Sequence, residues 1–203
     1  MIGFVQAGGA SARFGRDKAL IELDGKTLLA RTAELVAKVC GSVQIVAPAG
    51  RYPNAPSGVL ADRFPGEGPL GGILTALSSA AVDSRPEEWA LIVSCDMPFL
   101  TRDFLACLCE AAKTSGNQVI VPMSANGLEP LCAVWSSKAR AGIQSAFDAG
   151  VRKVTEAMKR LSMEVLDESA WRRFDTEGRL FWNMNTPEDF EEARRILEGK
   201  KHE

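Results

Sequence analysis

Residues 2–25 read IGFVQAGGASARFGRDKALIELDG. Ile2 to Ala7 is apolar and rich in β-formers, which predicts a strand. The twelve residues from Ala7 to Lys18 then carry three glycines, one serine, two arginines and one lysine, before an apolar pattern resumes. Gly8 and Gly9 have no Cβ, so their backbone can adopt positive φ and approach a phosphate closely, with exposed N–H groups to hold it. Two readings of the stretch stand side by side: a phosphate-binding loop, or a glycine-rich strand-to-helix turn with solvated basic residues. Arg13, Arg16 and Lys18 follow Gly8 within ten positions and can neutralise a polyphosphate, which favours the anion site.

The same near-continuous apolarity returns at Val43 to Ala47, Val59 to Ala61, Ala90 to Val93, Val119 to Val121 and Leu131 to Trp135. Continuous rather than alternating apolar runs predict strands buried on both faces, as in a parallel sheet covered by helices. Helical patterns lie between them. Leu28, Leu35, Val36 and Val39 share one face and stop at Gly41, while Leu70, Ile73, Leu74 and Leu77 repeat at i, i+3, i+4, i+7. Phe104, Leu105 and Leu108 do likewise, with Thr101 as N-cap and Gly116 past the end. Beyond residue 121 the pattern predicts a strand at Leu131 to Trp135 and helices near Lys138 to Ala149 and Lys153 to Leu161. A closing helix starts at Pro187, with Thr186 as N-cap, Pro187 at N1 and an acidic N3 residue. The expected fold is a single Rossmann-like α/β domain over 1–203, its mostly parallel twisted sheet carrying helices on both faces. Ala47 to Gly58, with three prolines and two glycines, reads as a surface loop rather than a domain boundary.

Composition narrows the chemistry. A net charge of -2, from 24 Lys+Arg against 26 Asp+Glu, gives no general attraction for nucleic acid or anionic lipid. No apolar run approaches the ~20 residues of a membrane span, and the first residues lack the basic leader and long apolar core of a signal peptide, so the expected location is cytoplasmic. The five cysteines include no CxxC pair and read as reduced core residues. Cys107 and Cys109 lie on different faces of a helix and make poor ligands for one metal. The only histidine is His202, which removes Ser-His and Cys-His catalysis. Carboxylates, amides, lysine, arginine or a hard metal ion are left to do the chemistry.

In open parallel sheets, ligands bind beyond the carboxyl ends of the strands. There the sequence has the glycine-rich loop after the first strand, Asp62 to Pro69 after the Val59 strand, and Ser94-Cys95-Asp96-Met97-Pro98 after the Ala90 strand. Two phosphate motifs fail. Asp24-Gly25-Lys26-Thr27 resembles the end of a P-loop, but Leu20 stands where its first glycine belongs, so the segment is a turn and helix start. Gly66 to Gly71 matches GxGxxG, yet Pro69 removes a donor N–H and is better read as the N1 residue of a helix. Asp96 at a strand end can hold a hard divalent cation, or be part of a simple turn; opposite a polyphosphate loop the metal role is preferred. Asn183 and Asn185 precede the closing helix, where capping and ligand contact are both open. Trp171-Arg172-Arg173 reads as a solvated face.

Taken together, AGGxSxRxGxDKALxxxxG at Ala7 to Gly25, GPLGG at Gly68 to Gly72, SCDMP at Ser94 to Pro98 and NMNTPEDF at Asn183 to Phe190 resemble the nucleotidyltransferases, most closely the molybdenum cofactor guanylyltransferases. The resemblance covers nearly the whole chain. It implies transfer of GMP from GTP to molybdopterin with release of pyrophosphate and with Mg²⁺, and molybdoenzymes or cofactor-biosynthesis proteins as partners. It also implies that Gln6, Ala7 and Gly8 contact the guanosine nucleotide, with Gly9 and Arg13 near the phosphates and Lys18 neutralising them. Asp62 resembles the family's nucleotide-contacting aspartate and Asp96 its magnesium ligand, so Arg13, Lys18 and Asp96 are the expected catalytic residues. Asn183, Asn185, Arg152 and Lys153 lie where the family handles the pterin acceptor or the metal. By this resemblance the nucleotide half spans about 1–121 and the acceptor half about 122–203.

The chain departs from the family pattern where Gln6 replaces a common leucine, Ala47-Pro48 stands where some members place an asparagine, and Phe14 replaces a methionine. The chemistry also fits the residues: a phosphate monoester is largely ionised near neutral pH, with a second pKa near ~6, so its attack on an α-phosphorus needs no histidine base. Positioning and charge stabilisation carry such a reaction. The rivals are a CTP-using transferase on the same cofactor, a sugar-phosphate nucleotidyltransferase, and a non-catalytic nucleotide or cofactor carrier.

Overall fold

The structure is a computed structural model that describes residues 1–8, 15, 17–80, 89–175 and 177–199. Gly9, Arg13 and Arg16 lie outside the described residues.

The first strand, β1 (Ile2–Gln6), is followed at Lys18–Leu20 by a single 3-10 turn and then by a small antiparallel hairpin, β2 (Glu22–Leu23) and β3 (Lys26–Thr27). Asp24 (φ 57°) and Gly25 (φ 74°) both take left-handed conformations between those two strands, as a two-residue hairpin turn requires. The DGKT segment is therefore a turn and a helix start: Thr27 Oγ1 caps α1 (Leu28–Ala37) by accepting from Ala30 N at 3.1 Å. β4 (Ser42–Ala47), β5 (Gly58–Ala61), α2 (Pro69–Ala80), β6 (Trp89–Ser94), α3 (Arg102–Thr114) and β7 (Val119–Ser124) then alternate as the apolar pattern predicts. Thr101 caps α3 through Phe104 N, and Pro69 opens α2. On α1 the buried positions are Leu28, Leu29, Thr32, Ala33 and Val36 rather than a Leu35 and Val39 face, and the helix closes at Ala37 before reaching Gly41.

β8 (Gly127–Leu128) folds back on β7, and β9 (Cys132–Ser136) leads to α4 (Ala139–Asp148) and α5 (Val154–Met158). The chain finishes with β10 (Met163–Leu166), the one-turn α6 (Glu168–Trp171) and α7 (Pro187–Gly199). The main sheet runs β10-β7-β9-β6-β1-β4-β5. All neighbours in it are parallel except β9, which is antiparallel to both β6 and β7. A strand covered on both faces is apolar throughout whichever way it points, so β9 carries no direction in its pattern. The β2–β3 hairpin, β8 and β10 are too short or too mixed in polarity to have been read as strands.

Both faces of the sheet are covered. One core packs Val5, Ile45, Leu91, Val93 and Val134 against α1 and α3, and the other packs Phe4, Ile92, Val121 and Trp135 against α2, α4 and α5. Gly3 is the point of closest approach of α1: a Cβ there would lie 2.2 Å from Val36 Cγ1. A third, smaller cluster of Leu23, Leu28, Met184 and Ala193 docks α7 against the hairpin. That docking returns the end of the chain to the carboxyl edge of the sheet, where β1 and β6 end side by side.

Candidate active site

β1 and β6 pair in register from Ile2↔Ala90 to Gln6↔Ser94, so the chain leaves both strands at the same level. Cys95 N then donates to Gln6 O at 3.3 Å, which brings Asp96 beside the start of the glycine-rich loop. Three distant segments converge there. Lys18 Nζ, on the 3-10 turn, donates to Asp96 Oδ2 at 2.8 Å and to Asn185 Oδ1 at 3.1 Å. Both members of the Lys18–Asp96 pair are 17 % exposed, so their attraction is less screened than that of a surface pair.

The Asn183 to Asn185 strap is held by main chain: Met184 N donates to Asp96 O at 2.8 Å. The cap of α7 fixes its far side. Asp189 Oδ2 accepts from Asn185 N at 2.7 Å and Thr186 N at 2.8 Å, while Asp189 N donates to Thr186 Oγ1 at 3.2 Å. Capping and site contact are thus combined in Asn185. Asn183 turns back on its own backbone, donating from Nδ2 to Phe181 O.

Gln6 uses its side chain. Nε2 donates to Pro69 O at 3.0 Å at the start of α2, and the amide lies where a Cβ on Gly72 would come within 1.9 Å of Nε2. Its Oε1 is buried with no partner. Gly8 takes φ 117°, and a Cβ there would sit 2.5 Å from Pro48 Cδ, so this position requires glycine both for conformation and for space. Asp62 Oδ1 accepts from Phe64 N at 3.0 Å and from the Thr75 hydroxyl at 2.8 Å, tying the end of β5 to α2. Arg152 and Lys153 are exposed, and the contacts of Arg152 lie at the entry to α2. Arg152 pairs with Glu67 in the entry to α2, donates to Phe147 O and stacks 4.0 Å from the Phe147 ring centroid, while Lys153 precedes α5.

Two parts of the site were not singled out in the sequence. Glu129, at the loop before β9, is a half-buried carboxylate whose Oε1 accepts from the Ser124 hydroxyl at 2.6 Å. Burial, and then the nearby charge of Asp96, push its carboxyl above the usual range, with the Ser124 bond opposing them. The other part is Asp17, bound by Arg51 and Tyr52 from the segment after β4. That segment reads as a proline-rich surface loop, but Tyr52 is buried in it and donates its hydroxyl inward. A cavity of about 690 Å³ lies beside it, lined by Leu20, Leu29, Ala33, Ile45 and Tyr52, away from Asp96. The cysteines are free, four of the five buried, and Cys95 is pushed up to about 12 by burial, which keeps it a thiol next to the site.

The donor set suits a hard cation that takes most of its ligands from elsewhere. Asp96 Oδ1 is buried without a partner, and no group of three or more His, Cys, Asp or Glu that could hold a metal occurs among the described residues. Mg²⁺ is commonly held by one or two carboxylates, with phosphate and water completing the shell. Asp96 with the amide oxygen of Asn185 offers that kind of foothold. No helix among the described residues is long and apolar enough to cross a membrane.

Residues 3–162 match the MobA-like NTP transferase domain family. A molybdenum cofactor guanylyltransferase from Desulfosudis oleivorans is 33 % identical over 199 residues, covering 97 % of this chain and 96 % of that protein. The crystal structure of molybdopterin-guanine dinucleotide biosynthesis protein A from Archaeoglobus fulgidus superposes with a TM-score of 0.82 at 26 % identity, covering 98 % of this chain and 100 % of that one. A 2-C-methyl-D-erythritol 4-phosphate cytidylyltransferase from Thermus thermophilus shares the fold, with a TM-score of 0.69 at 16 % identity over 97 % of this chain and 98 % of that one.

Proposed function

The chain belongs to the MobA-like NTP transferase family, and from that premise we propose that it transfers GMP from GTP to the terminal phosphate of molybdopterin, releasing pyrophosphate. The observation that carries this reading is the meeting of Lys18, Asp96 and Asn185, from three separated segments, at the end of β1 and β6.

A phosphate oxygen of the acceptor attacks the α-phosphorus of GTP, and the bond from that phosphorus to the bridging oxygen of pyrophosphate breaks. Gln6, Ala7, Gly8 and Gly9 contact the nucleotide, with main-chain N–H groups of the glycine-rich loop as its donors. Arg13 and Lys18 take up charge on the phosphates as it builds on bridging and non-bridging oxygens. In the free protein Lys18 pairs with Asp96 and Asn185; with nucleotide present its ammonium would turn to the phosphates, and Asp96 and Asn185 are the residues that would hold Mg²⁺. The cation supplies further neutralisation of the triphosphate when bound. Asp62 steadies the nucleotide side from β5. Asn183, Arg152 and Lys153 serve the acceptor side, in the half from about residue 122 onward.

Incubating the protein with molybdopterin, Mg²⁺ and each nucleoside triphosphate in turn tests the reading, with the adduct identified by mass. GMP transfer is expected; efficient CMP transfer without GMP transfer would overturn the guanylyl assignment. Asp96→Asn, which keeps the shape and removes the charge, is expected to abolish turnover while part of the nucleotide affinity survives. Normal turnover in that variant would remove Asp96 from the metal role.

A further inference from the structure

Asp17 stands one residue before Lys18 and caps the 3-10 turn that carries it, its Oδ1 accepting from Ala19 N at 3.1 Å. The rest of its carboxylate is taken by the segment that follows β4. Tyr52 donates its hydroxyl to Oδ1 at 3.2 Å, and Arg51 makes an ion pair with Oδ2. Tyr52 is itself buried and held at φ 54°, a left-handed conformation that a bulky side chain keeps only when its surroundings impose it. The same segment reaches the other end of the glycine-rich loop, where the Pro48 ring fills the space that a Cβ on Gly8 would need. One short stretch, Pro48 to Tyr52, therefore grips the loop both where it leaves β1 and where it delivers Lys18.

A lysine ammonium sits at the end of a flexible four-carbon stem, so its position is only as well defined as the backbone beneath it. We infer that Asp17 is a positioning residue: braced by Arg51 and Tyr52, it fixes the turn from which Lys18 reaches Asp96, Asn185 and the phosphates of the nucleotide. The Asp17 carboxylate is occupied by Ala19 N, the Tyr52 hydroxyl and the Arg51 guanidinium. Its charge is matched by Arg51, which keeps a second carboxylate from opposing the incoming triphosphate.

The inference rests on the phosphate role given to Lys18, and a double-mutant cycle separates the two. Asp17→Ala and Lys18→Ala are compared singly and together, reading the Kd for GTP with Mg²⁺ by fluorescence titration and the rate of GMP transfer. Asp17→Ala alone is expected to lower transfer and nucleotide affinity about tenfold in kcat/KM for GTP, with the KM for the acceptor unchanged. That loss is expected to vanish in the Lys18→Ala background, because two residues that act as one unit are not additive. Tyr52→Phe, which keeps the ring and loses only the bond to Asp17, is expected to show the same effect at smaller size. An Asp17→Ala loss that stays the same size without Lys18 would overturn the positioning role. Wild-type binding and turnover in Lys18→Ala would overturn the phosphate role beneath it, and the inference with it. If Asp17→Ala does not fold, Asp17→Asn runs through the same cycle, since its amide oxygen still caps the turn.

Discussion

Tyr52 is the only tyrosine of the chain, which makes its environment directly measurable. Burial, then the hydrogen bond and charge of Asp17, push its phenol up to about 12, against the ordinary ~10. An acid whose folded value is raised favours the fold in its neutral form. Its contribution is whole below the unfolded value of ~10 and is lost as pH rises toward about 12. Ultraviolet titration of the native protein is expected to show one phenolate transition near that upper value, and Asp17→Asn is expected to move it down while leaving it above the unfolded value, because burial remains. A native transition at the ordinary value would mean that Tyr52 is open to water. Gln6 shows the opposite relation between sequence and contact. In the sequence it stands out as a departure from a common leucine, with nothing to say that its amide would lie on Gly72 and reach Pro69.

Among the elements, α7 was the most legible, because its start is written locally. Thr186, Pro187 and Asp189 occupy N-cap, N1 and N3, and the bonds of Thr186 and Asp189 close within four residues. Its effect on the site was not legible, since that depends on α7 docking against β2 and the start of α1. The two functions can be separated. Thr186→Ala is expected to lower stability by about 1 kcal/mol in urea unfolding with GMP transfer kept, as loss of a cap does. Asp189→Ala frees the backbone of Asn185 and is expected to lower transfer as well; an equal effect of the two on transfer would show that the cap alone matters. β9 was legible as a strand and not as an antiparallel one. β10 was missed because Met163-Glu164-Val165-Leu166 is an edge strand, part exposed, with a charge in its middle.

At the scale of the whole molecule, the sheet order decides which loops meet. β1 sits between β6 and β4, so the loop after β1 has Asp96 on one side and the Pro48 to Tyr52 segment on the other. An arrangement of this kind is expected to tighten around its ligand. With GTP and Mg²⁺ at a hundred times Kd, linkage stabilises the fold by about 2.7 kcal/mol. For a domain of this size that is a rise in Tm of about 5–10 °C, and Lys18→Ala is expected to remove much of it. A melting temperature unmoved by GTP with Mg²⁺ would argue against any nucleotide site.

What the sequence determined by itself was local or periodic: the alternation of buried strands and helices, the caps of α3 and α7, the turn at Asp24-Gly25, and the placing of candidate residues at strand ends. These follow from interactions within a few residues, or from burial that repeats along one element. The tertiary structure alone decided the direction of β9, the pairing of Lys18 with Asp96 and Asn185, the pairing of Arg152 with Glu67, and the grip of Pro48, Arg51 and Tyr52 on the loop. Each of those joins residues tens of positions apart, and such contacts depend on which elements the sheet brings side by side.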